Sequence, residues 1–154
     1  MTIHKTIIAL LLGVFMLSAC TPAEVQPTQP LGEQTGLLDQ EWVLESIGQK
    51  GSATAAIDGV AVTLTLDSDG NAGGSAGCNH YGGVYIIKGD QISFGEIVST
   101  LMACVDDAVM EQEMQYLQAL SLAGTYLVSN DRLTIEYNDG GSVLTFIKGS
   151  AATP

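Results

Sequence analysis

The first hydrophobic feature of the chain is an apolar run from Ile7 to Leu17, about eleven residues, behind a weakly basic start at His4 and Lys5. A bilayer span takes about twenty residues, so the run predicts a secretory leader over residues 1–19 rather than a transmembrane helix. Across 20–37 the pattern lapses. Pro22, Pro27 and Pro30 stand among Gln, Thr, Glu and Gly, the composition of a linker. At about 3.1 Å per residue, an extended tether of this kind reaches roughly 50 Å.

Periodicity begins at Leu38. Trp42-Val43-Leu44 belongs to a strand-like run ending near Ile47, and Val60, Val62, Leu64 and Leu66 alternate with Ala and Thr. A period of two marks a half-buried strand. Asp67-Ser68-Asp69-Gly70 reads as a hairpin turn, and the small, Gly-rich stretch from Asn71 to Gly77 as close backbone approach or a bend. Val84–Ile87 and Gln91–Phe94 form a hairpin across Lys88-Gly89-Asp90. Thr125–Ser129, Arg132–Tyr137 and Ser142–Ile147 are three further strands, punctuated by Asn130-Asp131 and Asn138-Asp139-Gly140-Gly141. One segment switches to helical spacing: Val109, Met110, Met114, Leu117 and Leu120, with Asp106 and Asp107 suited to its N-terminus. That spacing places Met110 and Met114 in the core. The expected fold is mainly β, an antiparallel meander of about eight strands closing towards a barrel, with one amphipathic helix packed on it. The domain spans 38–148, and 149–154 is a tail.

Charge narrows the function. Five Lys and Arg stand against 17 Asp and Glu, a formal net charge of −12, and the leader holds one of the basic residues and none of the acidic ones. Binding nucleic acid by counterion release needs clustered cations, so no nucleic-acid partner is expected, nor electrostatic docking on anionic lipid.

The leader ends Leu17-Ser18-Ala19-Cys20, which resembles the bacterial lipobox. The resemblance implies cleavage before Cys20, a thioether-linked diacylglycerol and a palmitate-type acyl group on the new amine, so the membrane partner is reached through the N-terminal lipid. Several buried chains, at about 0.8 kcal/mol per methylene, make such anchoring effectively permanent. Thr21 rather than Asp in the next position implies, by the same resemblance, the outer membrane facing the periplasm. Cys78 and Cys104 are the remaining cysteines. Two thiols in an oxidising compartment suggest one disulfide, as a structural staple or a redox pair.

The stretch Gly74-Ser75-Ala76-Gly77-Cys78-Asn79-His80-Tyr81-Gly82-Gly83, with Ser99-Thr100-Leu101-Met102-Ala103-Cys104 and then Glu113 and Leu117, resembles the META-domain family, also called HslJ-like or DUF306. Trp42 and Leu44 match its opening, and Leu144-Thr145-Phe146 its closing strand. The motif residues are therefore Trp42, Gly77, Cys78, Asn79, Tyr81, Thr100, Met102, Cys104 and Glu113. Leu101 and Val105 depart from the family pattern, standing where a basic residue and often a proline are expected. Membership implies a compact β domain of the bacterial envelope, linked in some members to stress, and no agreed reaction. The expected function is a non-enzymatic lipoprotein supporting envelope integrity, with an envelope protein as a partner. The alternative is a binder of a small apolar or peptide-like ligand in the barrel mouth, and Met102, Met110 and Met114 are candidates to line a greasy groove.

Other chemistry is thinly represented. His80 lies two residues from Cys78, whereas catalytic Cys and His are usually distant in sequence, and no Gly-x-Ser-x-Gly elbow occurs, so no catalytic residue is assigned. Asn79 is expected to bond local backbone in a turn. Asp67, Asp69 and Asn71 resemble the start of an EF-hand loop, but Ala72 holds the position that needs Gly and Cys78 the one that needs Glu. Neither a metal nor a cofactor is expected.

Overall fold

The computed structural model describes residues 36–149; the leader, Cys20, the tether as far as residue 35 and the tail from 150 lie outside the described residues. Ten strands and one helix follow in order: β1 Glu41–Gln49, β2 Thr54–Ala55, β3 Thr63–Leu66, β4 Asn71–Ser75, β5 His80–Lys88, β6 Gln91–Phe94, β7 Val98–Ser99, α1 Asp107–Ser121, β8 Ala123–Ser129, β9 Arg132–Tyr137 and β10 Ser142–Lys148. Eight of them, β1-β3-β4-β5-β6-β8-β9-β10, hydrogen-bond in turn, and β10 returns to β1. The fold is a closed antiparallel barrel with one helix, as the alternation predicts. β2 adds to β1 and β7 to β5 outside this ring.

Three seams of the barrel join strands that no tight turn connects: β1–β10, β6–β8 and β1–β3, the last across residues 50–62, which hold β2. β1 and β10 share seven partner pairs, from Trp42↔Lys148 to Gln49↔Ser142. β6 and β8 share one, Gln91↔Thr125, beside which the Tyr126 amide donates to the Asp90 carbonyl at 2.8 Å. The other strands follow tight turns. In the β3–β4 turn the Asp67 carboxylate accepts from the amides of Asp69 and Asn71 and from the Asn71 side chain, and these bonds, the Asn71 side chain first, hold its pKa below the usual value. Asn130, Asn138 and Asp139 take left-handed backbone, as turn residues of this type readily do.

Alternation along the strands sets the core. Trp42, Leu44, Leu64, Leu66, Ile92, Leu133, Ile135, Leu144 and Phe146 point inwards and are buried. The Gly-rich β4 has a packing reason: a Cβ on Gly74 would lie 2.2 Å from the Thr63 carbonyl oxygen, so only glycine lets the β3 and β4 backbones come this close.

The helix is where pattern and structure part. α1 starts at an Asp106 N-cap whose carboxylate accepts from the Ala108 amide at 2.9 Å, as expected. Its buried face is Gln112, Tyr116, Ala119 and Leu120, with Val109, Glu113 and Leu117 half-buried beside them. Met110 and Met114, expected in the core, are exposed. Both faces have residues four apart, but Tyr116 brings a far larger surface and two aromatic neighbours: its ring meets Tyr81 and Phe146 edge-on at centroid distances of 5.6 and 6.3 Å. The rotation this requires also buries Gln112, whose carbonyl oxygen accepts from the Ile57 amide at 2.8 Å. Deep in the same interface the Tyr81 and Tyr116 hydroxyls lie 2.6 Å apart and both reach the Thr63 carbonyl, at 2.9 and 3.3 Å. Burial pushes both phenol pKa values well above the ordinary 10.

Candidate functional site

β4 ends at Ser75, and the chain makes a tight turn before β5. The Ala76 amide donates to the Asn79 carbonyl at 2.7 Å, and the Gly77 amide to the Ser75 hydroxyl at 3.2 Å. Gly77 sits at φ +114, a backbone setting that side chains resist, and its Cα face is packed by Val60, Val62 and Val109. The turn aims the amides of Cys78 and Asn79 at α1. There one oxygen of Glu113 accepts both, at 3.3 and 2.7 Å.

Asn79 is the hub. Its side-chain NH₂ donates to the other oxygen of Glu113 at 2.7 Å and to the Met102 carbonyl at 3.4 Å; its carbonyl oxygen accepts from the Thr100 hydroxyl at 2.7 Å and from the Met102 amide at 2.8 Å. An asparagine side chain has two donors and two acceptor positions, and this buried one uses all four. The expectation of local turn bonding is thereby corrected: the partners lie 21, 23 and 34 residues away. Distant pairing wins because the tight turn already satisfies itself through backbone and Ser75, leaving the amide to serve α1 and the loop.

That loop, residues 100–105, has no regular structure, yet it is held at three points. Thr100 and His80 exchange two bonds, Thr100 amide to His80 carbonyl at 3.0 Å and His80 amide to Thr100 hydroxyl at 3.2 Å. Met102 is fixed by Asn79 through both its amide and its carbonyl. Cys104 is bonded to Cys78 in a disulfide with a Cα separation of 6.1 Å. Six of the nine motif residues thus converge here: Cys78, Asn79, Thr100, Met102, Cys104 and Glu113. Gly77 shapes the turn, while Trp42 and Tyr81 are part of the barrel core, Trp42 donating through its indole N–H to the Leu37 carbonyl at 2.9 Å. Sequence reasoning missed Thr63, Gln112 and Tyr116, whose importance lies in contacts between elements far apart in the chain.

The chemistry open to this arrangement is narrow. Both sulfurs are in the disulfide, so there is no thiolate for His80, exposed at the start of β5, to activate. The Asn79 amide is fully engaged. Among the described residues no group of three or more His, Cys, Asp or Glu is placed to hold a metal ion, and no helix is long and apolar enough to cross a membrane. Grooves of 350 and 390 Å³ flank the β6–β8 seam, lined by residues such as Leu127 and Glu136 on one side and Ile86 and Ser93 on the other. They open on the outside of the barrel, whose interior is filled by Trp42, Tyr116, Phe146 and their neighbours.

Comparison with known proteins places this geometry. The family model described as META domain matches residues 35–150. No curated protein matches the sequence. A protein from Burkholderia xenovorans, solved by NMR, is similar at 33% identity with a TM-score of 0.65, over 76% of this chain and 86% of that one. A DUF4847 family protein from Bacteroides vulgatus ATCC 8482, known from a crystal structure, shares the fold at 14% identity and a TM-score of 0.53, over 75% of this chain and 96% of that one.

Proposed function

The chain belongs to the META-domain family, and from that premise we propose that it is a non-enzymatic lipoprotein of the bacterial envelope, anchored through Cys20, whose domain supports envelope integrity by binding. One observation carries the reading: the motif residues spend their bonding capacity on one another and on loop 100–105. A catalytic site keeps at least one activated group free to meet substrate. Here the amide, the carboxylate and both sulfurs are committed to holding a loop in place, which is how a recognition surface is built. The filled interior moves any binding from the barrel mouth to the outside of the barrel.

Cells that carry the protein test this directly. Deleting it should lower survival on an outer-membrane-active detergent, the wild type should restore survival, and Cys20→Ser should neither restore it nor take up labelled fatty acid. Unchanged survival of the deletion would overturn the envelope role. Equal fatty-acid label in Cys20→Ser and wild type would overturn the anchor.

A further inference from the structure

We infer that loop 100–105, with the exposed side of α1, is a docking surface for a basic amphipathic segment of a partner protein, one carrying apolar side chains between Lys or Arg residues. This rests on the binding role proposed above and adds the chemistry of the partner.

The surface is apolar where it has every opportunity not to be. Leu101 is 96% exposed, Val105 is fully exposed, Met114 is 64% exposed, Met102 55% and Met110 40%. Single exposed apolar residues are ordinary; five within residues 101–114, two of them one helical turn apart on α1, are a concentration of the kind that marks interaction sites. The patch is also rigidly mounted. Thr100 and Met102 hang on Asn79, and Cys104 is tied to Cys78, so a partner meets Leu101 and Val105 already positioned and little ordering entropy is lost on binding. Three of the five are methionines, soft and unbranched, which adapt to varied apolar partners.

Charge selects the occupant. From Gly89 to Asp131 there is no Lys, Arg or His, and exposed Asp106, Asp107 and Glu111 lie between Val105 and Met114 in sequence. A second copy of this acidic chain would bring like charge against like, and so would an anionic lipid surface. A segment with apolar residues flanked by cations gains on both counts: its side chains cover the methionines and Leu101, and its cations face the carboxylates. An amphipathic helix laid on such a surface is a common form of this recognition.

The test uses the full acylated chain in nanodiscs of zwitterionic phosphatidylcholine, with empty discs as blank. Three designed amphipathic peptides about 18 residues long, roughly five helical turns, serve as probes: Leu–Lys, Leu–Ser and Leu–Glu. The Leu–Lys peptide should bind, and Leu101→Ser with Val105→Ser should weaken it by about tenfold or more, the scale of losing two buried apolar side chains. Val84→Ser with Ile86→Ser, an exposed apolar pair on β5, should leave binding unchanged. Raising ionic strength should weaken the Leu–Lys complex, and the Leu–Glu peptide should not bind. Leu–Ser binding equal to Leu–Lys, and lost in the Leu101/Val105 variant, would overturn the basic partner while leaving the binding role standing. Peptide binding indifferent to the Leu101/Val105 pair would overturn both.

Discussion

Two buried polar clusters tie α1 to the barrel, and they are built on different terms. In the first, the Tyr81 and Tyr116 hydroxyls share the Thr63 carbonyl within a wall of aromatic and aliphatic side chains. In the second, Asn79 and Glu113 bind backbone amides and the loop beside the disulfide. The tyrosines bring large apolar rings whose burial is the main gain, with the hydroxyls merely satisfied. Asn79 brings almost no apolar area; its worth lies in four directed bonds. The barrel interior is therefore secured by bulk, and the loop by geometry. Damage to the first should reach the whole fold, and damage to the second mainly what the loop presents.

Alkali should break the first cluster outright. Burial raises both phenol pKa values in the folded chain above their unfolded value near 10. The stability they contribute is therefore fully present below pH 10 and lost as pH rises through the folded values, because the unfolded chain releases these protons first. Far-UV circular dichroism and tyrosinate absorbance should change together above pH 10; tyrosinate signals for all five tyrosines of the chain with the barrel still folded would sink this account.

Tyr116→Ala is next in size. Removing a fully buried ring in contact with Tyr81 and Phe146 should cost about 3–5 kcal/mol in denaturant unfolding. Cys78→Ala with Cys104→Ala should cost about 3–4 kcal/mol in the chain-entropy model, for a loop closed over a separation of 26 residues. The first loss should lower protection from amide exchange throughout the barrel. The second should free the loop amides, with the barrel strands still protected under folding conditions. A uniform loss of protection in both variants would erase the distinction.

The finest probe is Asn79→Asp. The shape is kept, two donated bonds vanish, and a carboxylate is set where the amide donates to Glu113 at 2.7 Å. The expected cost at neutral pH is about 1–3 kcal/mol. Repulsion raises the pKa of one of the two acids, so the cost should shrink as pH falls and that acid takes up a proton. A deficit independent of pH between 4 and 7, on the order of the carboxylate range, would show that Glu113 is not the partner that matters.

The strands were legible because inward residues such as Leu64, Leu66, Leu133 and Ile135 alternate, the bulge between Leu44 and Ser46 in β1 being a break in the pattern. Turn chemistry at Asp67–Gly70 and Asn138–Gly141 fixed their ends. The helix was legible as a helix but only in part in its orientation: Leu117 and Leu120 pack as the spacing predicts, Met110 and Met114 do not. Met110 and Met114 belong to the hydrophobic period, while the face that packs is Gln112, Tyr116, Ala119 and Leu120, of which only Leu120 marks that period. What decides is the fit of Tyr116 between Tyr81 and Phe146, a contact between residues 35 and 30 positions apart that no local period encodes. β2 and β7 escaped notice because two-residue strands have no period. The disulfide could be expected from the cysteine count and the oxidising compartment that the leader implies, but not the four-way bonding of Asn79, which needs Thr100, Met102 and Glu113 brought to one point by the closed sheet.

The wide seam between β1 and β10 has a consequence for how the protein comes into being. Trp42 pairs with Lys148, so the strand made first finds its edge partner in the strand made last. Local hairpins such as β3–β4 and β9–β10 can zip within microseconds, but closure of the ring must wait for contacts spanning nearly the whole domain, which slow folding by their loop entropy. Until β10 arrives, Leu44 and Ile47 lie along an open sheet edge, the kind of edge that invites pairing with another chain. The interval between synthesis and closure is when a nascent molecule most needs a chaperone, and its length is set by the final strand.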